Sequence, residues 1–203
     1  MTAETKMQAK ENVDKQIGKS VNKQLDKPVK SSEKAYEKQF SEPFIEKVTI
    51  NIGVGEQSEK LDAAEELLKR LTGRKPLRTK AKKRVPAFGI RPGLNIGVKV
   101  TLRKNEAVEM LKRLLSAKKQ LKESNFDNNG NFSFGIAEYI DVPGLKYDPK
   151  IGMYGFDVCV TLAKKGIRVA KRKLKKAKVG KNQAITKQEA IDYIKKMFNI
   201  NIL

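Results

Sequence analysis

The chain has 203 residues, 44 Lys and Arg against 23 Asp and Glu, a formal net charge of +21, one Cys and no His. Without His there can be no Ser-His or Cys-His nucleophile pair and no imidazole ligand, and the lone Cys159 excludes a disulfide framework or cysteine-rich zinc site. The length suits one domain with appendages; apolar runs well short of the ~20 residues that span a bilayer, and an N-terminus lacking an apolar leader, predict a soluble, cytoplasmic protein.

Residues 1–42 carry nine Lys against seven acids with few large apolar residues, a composition that predicts a flexible, charged extension. The remainder, 43–203, reads as a single domain. In Lys47–Ile52, Val48, Ile50 and Ile52 alternate with polar residues at strand period, and Gly53-Val-Gly55 ends the run. From Ser58 to Thr72, Leu61, Ala64, Leu68 and Leu71 recur at helical spacing, with Gly73 as the stop. Leu77–Lys83 and Leu94–Arg103 predict two strands joined by a loop that holds Pro86, Gly89, Pro92 and Gly93. A second helix is predicted over 105–121, and short strands over 132–136 and 156–162, each with alternating apolar residues. A basic arm occupies 164–181, and Thr186-Lys-Gln-Glu189 has the pattern of a capping box that opens a C-terminal helix over 186–199. Together these elements predict an α+β fold, a mostly antiparallel sheet with helices on one face, the polar face open to RNA, and a long basic loop between the middle strands.

The outward residues of the clearest strands are Lys47, Thr49, Asn51, Asn95, Lys99, Thr101, Arg103, Asp157, Cys159 and Thr161. An ordinary solvated sheet face has this look. So does a surface of hydroxyls and amides suited to ribose 2′-OH groups and base edges in a shallow RNA minor groove.

Eighteen of the 44 bases fall in two stretches without any acid, eight in 74–91 and ten in 164–181, leaving 26 bases against 23 acids elsewhere. Cations with no neighbouring acid lack an internal ion-pair explanation, and a phosphate partner accounts for them. Phe88 in the first stretch could stack on a base or tuck beneath its own loop. The run Lys171-Arg-Lys-Leu-Lys-Lys176 reads equally as a phosphate-binding arm or a nuclear-localisation signal.

Other signals are weaker. Gly53-Val-Gly55-Glu-Gln-Ser58 lacks the third glycine of a dinucleotide fingerprint, Glu59, Asp62, Glu65 and Glu66 are interleaved with Lys, and Asp127-Asn-Asn-Gly130 lacks the closing Glu of a calcium loop. An enzyme acting on nucleic acid through Asp157 with magnesium would need more acids than that face offers. An anionic membrane as the target of 164–181 is disfavoured by the few bulky apolar residues there.

Three blocks, Val48-Thr-Ile-Asn-Ile-Gly-Val-Gly-Glu56, Thr72-Gly-Arg-Lys-Pro-Leu-Arg-Thr-Lys-Ala-Lys82 and Ile96-Gly-Val-Lys-Val-Thr-Leu-Arg103, resemble in order and spacing the fifth ribosomal protein of the large subunit. Gly130–Gly135, Tyr147–Gly152 and Arg168–Arg172 resemble its archaeal and eukaryotic branch. The resemblance implies a non-catalytic protein of the cytoplasmic large subunit, without metal or cofactor, that binds 5S rRNA in the central protuberance. Asn51, Thr101, Arg103 and Asp157 stand at positions resembling the family's 5S rRNA contacts. With their neighbours, the candidate 5S rRNA set is Lys47, Thr49, Asn51, Arg74, Lys99, Thr101, Arg103, Asp157 and Thr161. The loop residues Lys80, Lys82, Lys83, Arg84, Phe88 and Arg91 map onto the family's element facing the P-site tRNA. Arg168, Lys171, Arg172, Lys173, Lys175 and Lys176 are the candidates for phosphates of large-subunit rRNA. Neighbouring ribosomal proteins, including the small-subunit head through an intersubunit bridge, complete the implied partners. Arg74 departs from the Gln of many relatives, and nothing transfers to the extension over 1–42.

Overall fold

Strand β1, Phe44–Gly53, buries Val48, Ile50 and Ile52 on one side and leaves Thr49 and Asn51 half-buried on the other. Ile45 is buried too, although it lies three residues before Val48 and so breaks the two-residue period. A bulge resolves the conflict. Ile45 pairs with Leu162 and Lys47 with Thr161, so Glu46 is an extra residue that lets both apolar side chains face inward. The computed structural model describes residues 42–55, 58–118 and 120–203; the expected flexible extension falls outside them except at its last residue.

Helix α1, Ser58–Thr72, follows with Leu61, Ala64, Leu67, Leu68 and Leu71 buried. Strand β2 spans Leu77–Lys80 and is shorter than the predicted 77–83, because the register slips between Thr79 and Lys80. Beyond the slip, Ala81 still donates to the Leu94 carbonyl at 2.8 Å and accepts from Gly93 at 3.0 Å, so the two chains close gradually into the loop. Strand β3, Asn95–Leu102, runs back beside β1. Gly97 is at a close approach there: a Cβ at this position would sit 2.6 Å from the Ile52 carbonyl oxygen.

Helix α2, Lys104–Lys118, ends before the predicted Leu121. Gln120–Leu121 instead forms β4, paired in parallel with the C-terminal β7, Asn201–Ile202. Leu121 is buried as expected, but the backbone of the last residues captures it: Leu203 donates to the Leu121 carbonyl at 2.9 Å, and Glu123 to that of Leu203 at 2.6 Å. Strands β5, Phe132–Ile136, and β6, Phe156–Ala163, complete a five-stranded sheet of order β2-β3-β1-β6-β5, antiparallel throughout. A one-turn helix α3, Arg168–Lys171, precedes α4, Lys187–Phe198. The predicted capping box is present: the Thr186 hydroxyl accepts from the Glu189 amide at 3.3 Å, and the Glu189 carboxylate accepts from the Thr186 amide at 3.1 Å.

α1 lies against β3 and α2 against β1, so one sheet face is sealed by apolar side chains of both helices. Leu68 and Leu111 are fully buried there, and truncating either to Ala would cost about 2–5 kcal/mol. The packing holds the strands rigid and leaves the opposite face available.

Candidate nucleic-acid interface

Strand register sorts the open face into rows. One row runs Leu77, Lys99, Asn51, Asp157, Gly135; the next runs Thr101, Thr49, Cys159, Ser133; a third begins with Lys47 and Thr161. Thr101, Asp157, Cys159, Ser133 and Gly135 are exposed, and Lys47, Thr49, Asn51, Lys99 and Thr161 are half-buried, so this face is open to solvent. The middle row has only short side chains, with the Thr49 and Thr101 hydroxyl oxygens 3.5 Å apart. The surface is therefore shallow and rich in donors and acceptors, which suits the wide minor groove of an RNA helix. Asn95, expected to share this face, is half-buried, and its Oδ1 is enclosed without a hydrogen-bond partner. The Cys159 thiol is pushed above its ordinary value by desolvation and by the Asp157 charge, so it stays protonated at neutral pH and is a poor nucleophile.

At the β2–β3 edge the face drops into a depression of about 850 Å³ lined by Arg74, Lys75, Lys99, Thr101, Arg103 and Lys104, among others. Five basic side chains thus converge beside the polar rows. Sequence reasoning did not include Lys75 and Lys104 in the site. Lys104 enters because β3 turns straight into α2, and it takes a left-handed φ of 56° to make that turn. Such a conformation costs a residue with a Cβ roughly 1–2 kcal/mol. The run Arg103-Lys104 at a strand end was the available signal.

The expectation that the two basic stretches lack internal ion pairs is corrected at four residues. The Arg74 guanidinium donates to both Glu106 oxygens, from Nε at 3.1 Å and from Nη2. Arg78 reaches Asp62 at 2.6 Å and Glu65 at 2.7 Å. Lys171 pairs with Glu46, which also has Arg103 at 3.6 Å. Lys164 pairs with Glu189 at 2.8 Å and is only 5% exposed, so it belongs to the fold rather than to the arm. The acids come from α1, α2, β1 and α4, brought near by tertiary folding. Glu106 is held below its ordinary range by the Arg74 hydrogen bond.

The loop of the first stretch is different. A bridge between Val85 and Ile90 narrows it, and a 3-10 turn over Pro86–Phe88 is closed by Gly89 with φ 66°. Lys80, Lys82, Lys83, Arg84 and Arg91 are exposed, and none of them enters a salt bridge among the described residues. Phe88 is 73% exposed, so it is presented outward rather than tucked beneath the loop.

The second stretch doubles back instead of extending. After α3 the Ala177 amide donates to the Val169 carbonyl at 3.3 Å, and the Arg172 Nε donates to the Lys175 carbonyl at 2.6 Å. Lys175 adopts a φ of 50°, forming a tip that exposes Lys173, Leu174, Lys175 and Lys176. Arg168 is exposed on α3. Among the described residues no group of three or more His, Cys, Asp or Glu side chains is placed to hold a metal ion. No described helix is long and apolar enough to cross a membrane.

A rigid antiparallel sheet with one sealed face, one shallow polar face and cations at its margins defines an α+β protein suited to binding nucleic acid. Residues 39–91 match the family described as Ribosomal protein L5, and residues 95–199 match the family describing the C-terminus of the same ribosomal protein. The chain is 52% identical over 160 residues to the large ribosomal subunit protein uL5 of Sulfolobus acidocaldarius, covering 78% of this chain and 90% of that one. It is 53% identical over 161 residues to the protein of the same name from Nanoarchaeum equitans, covering 78% and 95%. With that of Pyrobaculum aerophilum the identity is 52% over 159 residues, covering 78% and 89%. The chain belongs to the ribosomal protein L5 family, whose members are structural rather than enzymatic.

Proposed function

We propose that this protein is a structural constituent of the large ribosomal subunit in the cytoplasm, binding 5S rRNA and large-subunit rRNA in the central protuberance and touching P-site tRNA. Its role as a ribosomal, rRNA-binding component follows from family membership. The finer assignment rests on one observation: short hydroxyl and amide side chains fill the centre of the open face, while a cluster of cations stands at its margin. Phosphate contacts position a protein on RNA without reading it, and groups that reach ribose and base edges supply selectivity. The central rows, with Asn51, Thr101 and Asp157, and Arg103 at their edge, are therefore the 5S rRNA-reading surface, and the depression beside them cradles the backbone.

The loop over 80–91 projects salt-bridge-free cations around an exposed aromatic ring, which suits a strand approached from outside the particle's core, here tRNA. The tip of the arm over 172–176 anchors large-subunit rRNA through phosphates. Neighbouring ribosomal proteins and the small-subunit head are the remaining partners, and residues 43–203 act as one RNA-binding domain.

Crosslinking in native particles tests the scheme. We expect residues 47–51 and 99–103 to join 5S rRNA, 82–91 tRNA, and 171–176 large-subunit rRNA. Crosslinks from 47–51 confined to RNAs other than 5S rRNA would refute the central assignment.

A further inference from the structure

The bulge in β1 sets Glu46 outside the alternation of the strand, and its carboxylate there meets cations from two other parts of the chain. Lys171 of α3, in the basic arm, donates to its Oε1, and Arg103 Nη1, just past the end of β3, lies 3.6 Å from the same oxygen as an ion pair. The Glu46 side chain is 14% exposed, against 50% for Lys171 and 58% for Arg103, so the acid is tucked in while both partners reach solvent. Arg103 enters no other salt bridge among the described residues, and it also lines the depression beside the polar rows. Burial pushes the Glu46 pKa up, but Lys171, Lys47 and Arg103 outweigh it and hold the pKa below its ordinary value, so the carboxylate is ionised at neutral pH. A negative charge beside an RNA-binding face repels phosphate. Through its charge Glu46 opposes RNA binding, and only through geometry can it help.

We infer that Glu46 is a positioning residue for RNA recognition: clamped by Lys171, it holds the Arg103 guanidinium in place at the edge of the open face before RNA arrives. The inference rests on the assignment of 5S rRNA to that face. A guanidinium carries five N–H donors in a rigid fork, so an ion pair through Nη1 leaves Nε and Nη2 to meet a phosphate or a base edge. A long side chain ordered before binding gives up less freedom when it binds, which is worth about three- to tenfold in affinity. Lys171 fixes the carboxylate from the other side, so the root of the arm and the edge of the sheet share one anchor.

The test measures the affinity of the full chain for isolated 5S rRNA and for an RNA duplex of unrelated sequence, in the unaltered protein, Glu46→Gln, Arg103→Ala and the double variant. We expect Glu46→Gln to bind 5S rRNA about three- to tenfold more weakly, although it removes a negative charge, and to bind the unrelated duplex at least as tightly as the unaltered protein does. The double variant should bind 5S rRNA no more weakly than Arg103→Ala alone, because Glu46 acts through Arg103. In the unaltered free protein, which needs no variant to fold, NMR relaxation should show the Arg103 Nε–H more ordered than that of Arg84 in the loop. Unchanged or tighter 5S rRNA binding by Glu46→Gln would overturn the inference, since charge alone would then account for this residue. Equal weakening toward both RNAs would overturn it in favour of a general role in folding. Losses that multiply in the double variant, or an Arg103 side chain as mobile as that of Arg84, would show that Glu46 does not act through Arg103. An unaltered protein that binds 5S rRNA no more tightly than the unrelated duplex would overturn the assignment of 5S rRNA to the open face, and this inference with it.

Discussion

Thr49 on β1 and Thr101 on β3 are direct cross-strand partners on the open face, with their hydroxyl oxygens 3.5 Å apart. Neither hydroxyl is needed to fill the core, which lies on the other side of the sheet, so both are free to turn toward RNA. Valine has the same shape and keeps the strand preference. We expect Thr49→Val and Thr101→Val to leave thermal unfolding nearly unchanged while each weakens 5S rRNA binding about three- to tenfold, the worth of one neutral hydrogen bond. Unchanged affinity in the double variant would show that this row is solvated surface only.

Lys164 and Glu189 form an ion pair with unequal surroundings, since the Lys164 side chain is 4% exposed and that of Glu189 46%. Removing Lys164 leaves a carboxylate that water can solvate; neutralising Glu189 strands a buried cation, although a Gln there keeps the capping box. We expect Glu189→Gln to destabilise the fold by about 1–3 kcal/mol and Lys164→Met by less than about 1 kcal/mol. Chemical denaturation of both variants checks the order.

The same carboxylate sets an acid limit. The hydrogen bond from Lys164 lowers the Glu189 pKa below its ordinary 4.5, outweighing burial, and Glu46 is lowered likewise. A group whose folded pKa lies below its unfolded value contributes stability above the unfolded value and loses it as pH falls through the folded one. Thermal unfolding midpoints should therefore hold steady down to about pH 5 and decline below about pH 4.5. The decline should be shallower in Glu189→Gln.

Much of this was legible in the sequence, and what was not has a common cause. The alternation of Val48, Ile50 and Ile52, the helical spacing of Leu61, Leu68 and Leu71, and the Thr186–Glu189 capping box are local patterns, and each matches the structure. The bulge at Glu46 depends on where Leu162 and Thr161 sit on a distant strand. The acids that neutralise Arg74, Arg78, Lys164 and Lys171 lie far away in the chain, so a stretch without acids appeared unpaired when it was not. Strands β4 and β7 have two residues each, too few to show a period. Lys104 joined the site only because a single residue, Arg103, separates β3 from α2.

The loop over 80–91 offers an electrostatic test. Lys82, Lys83 and Arg84 are exposed and make no salt bridge among the described residues, so their removal should not disturb the fold. In the triple alanine variant, the slope of log affinity for tRNA against log salt should shrink by about two to three, close to 0.9 for each phosphate no longer neutralised. A slope equal to that of the unaltered protein would mean the loop does not meet phosphate.

The most direct measurement is the affinity for isolated 5S rRNA of two variants side by side. Asn51→Ala with Arg103→Ala removes one amide and one guanidinium from the open face, and we expect binding to weaken by about a hundredfold. The Lys82, Lys83 and Arg84 triple alanine variant should stay within about threefold of the unaltered protein for 5S rRNA. Equal losses in the two variants, or a larger loss in the loop variant, would contradict the assignment of 5S rRNA to the sheet face.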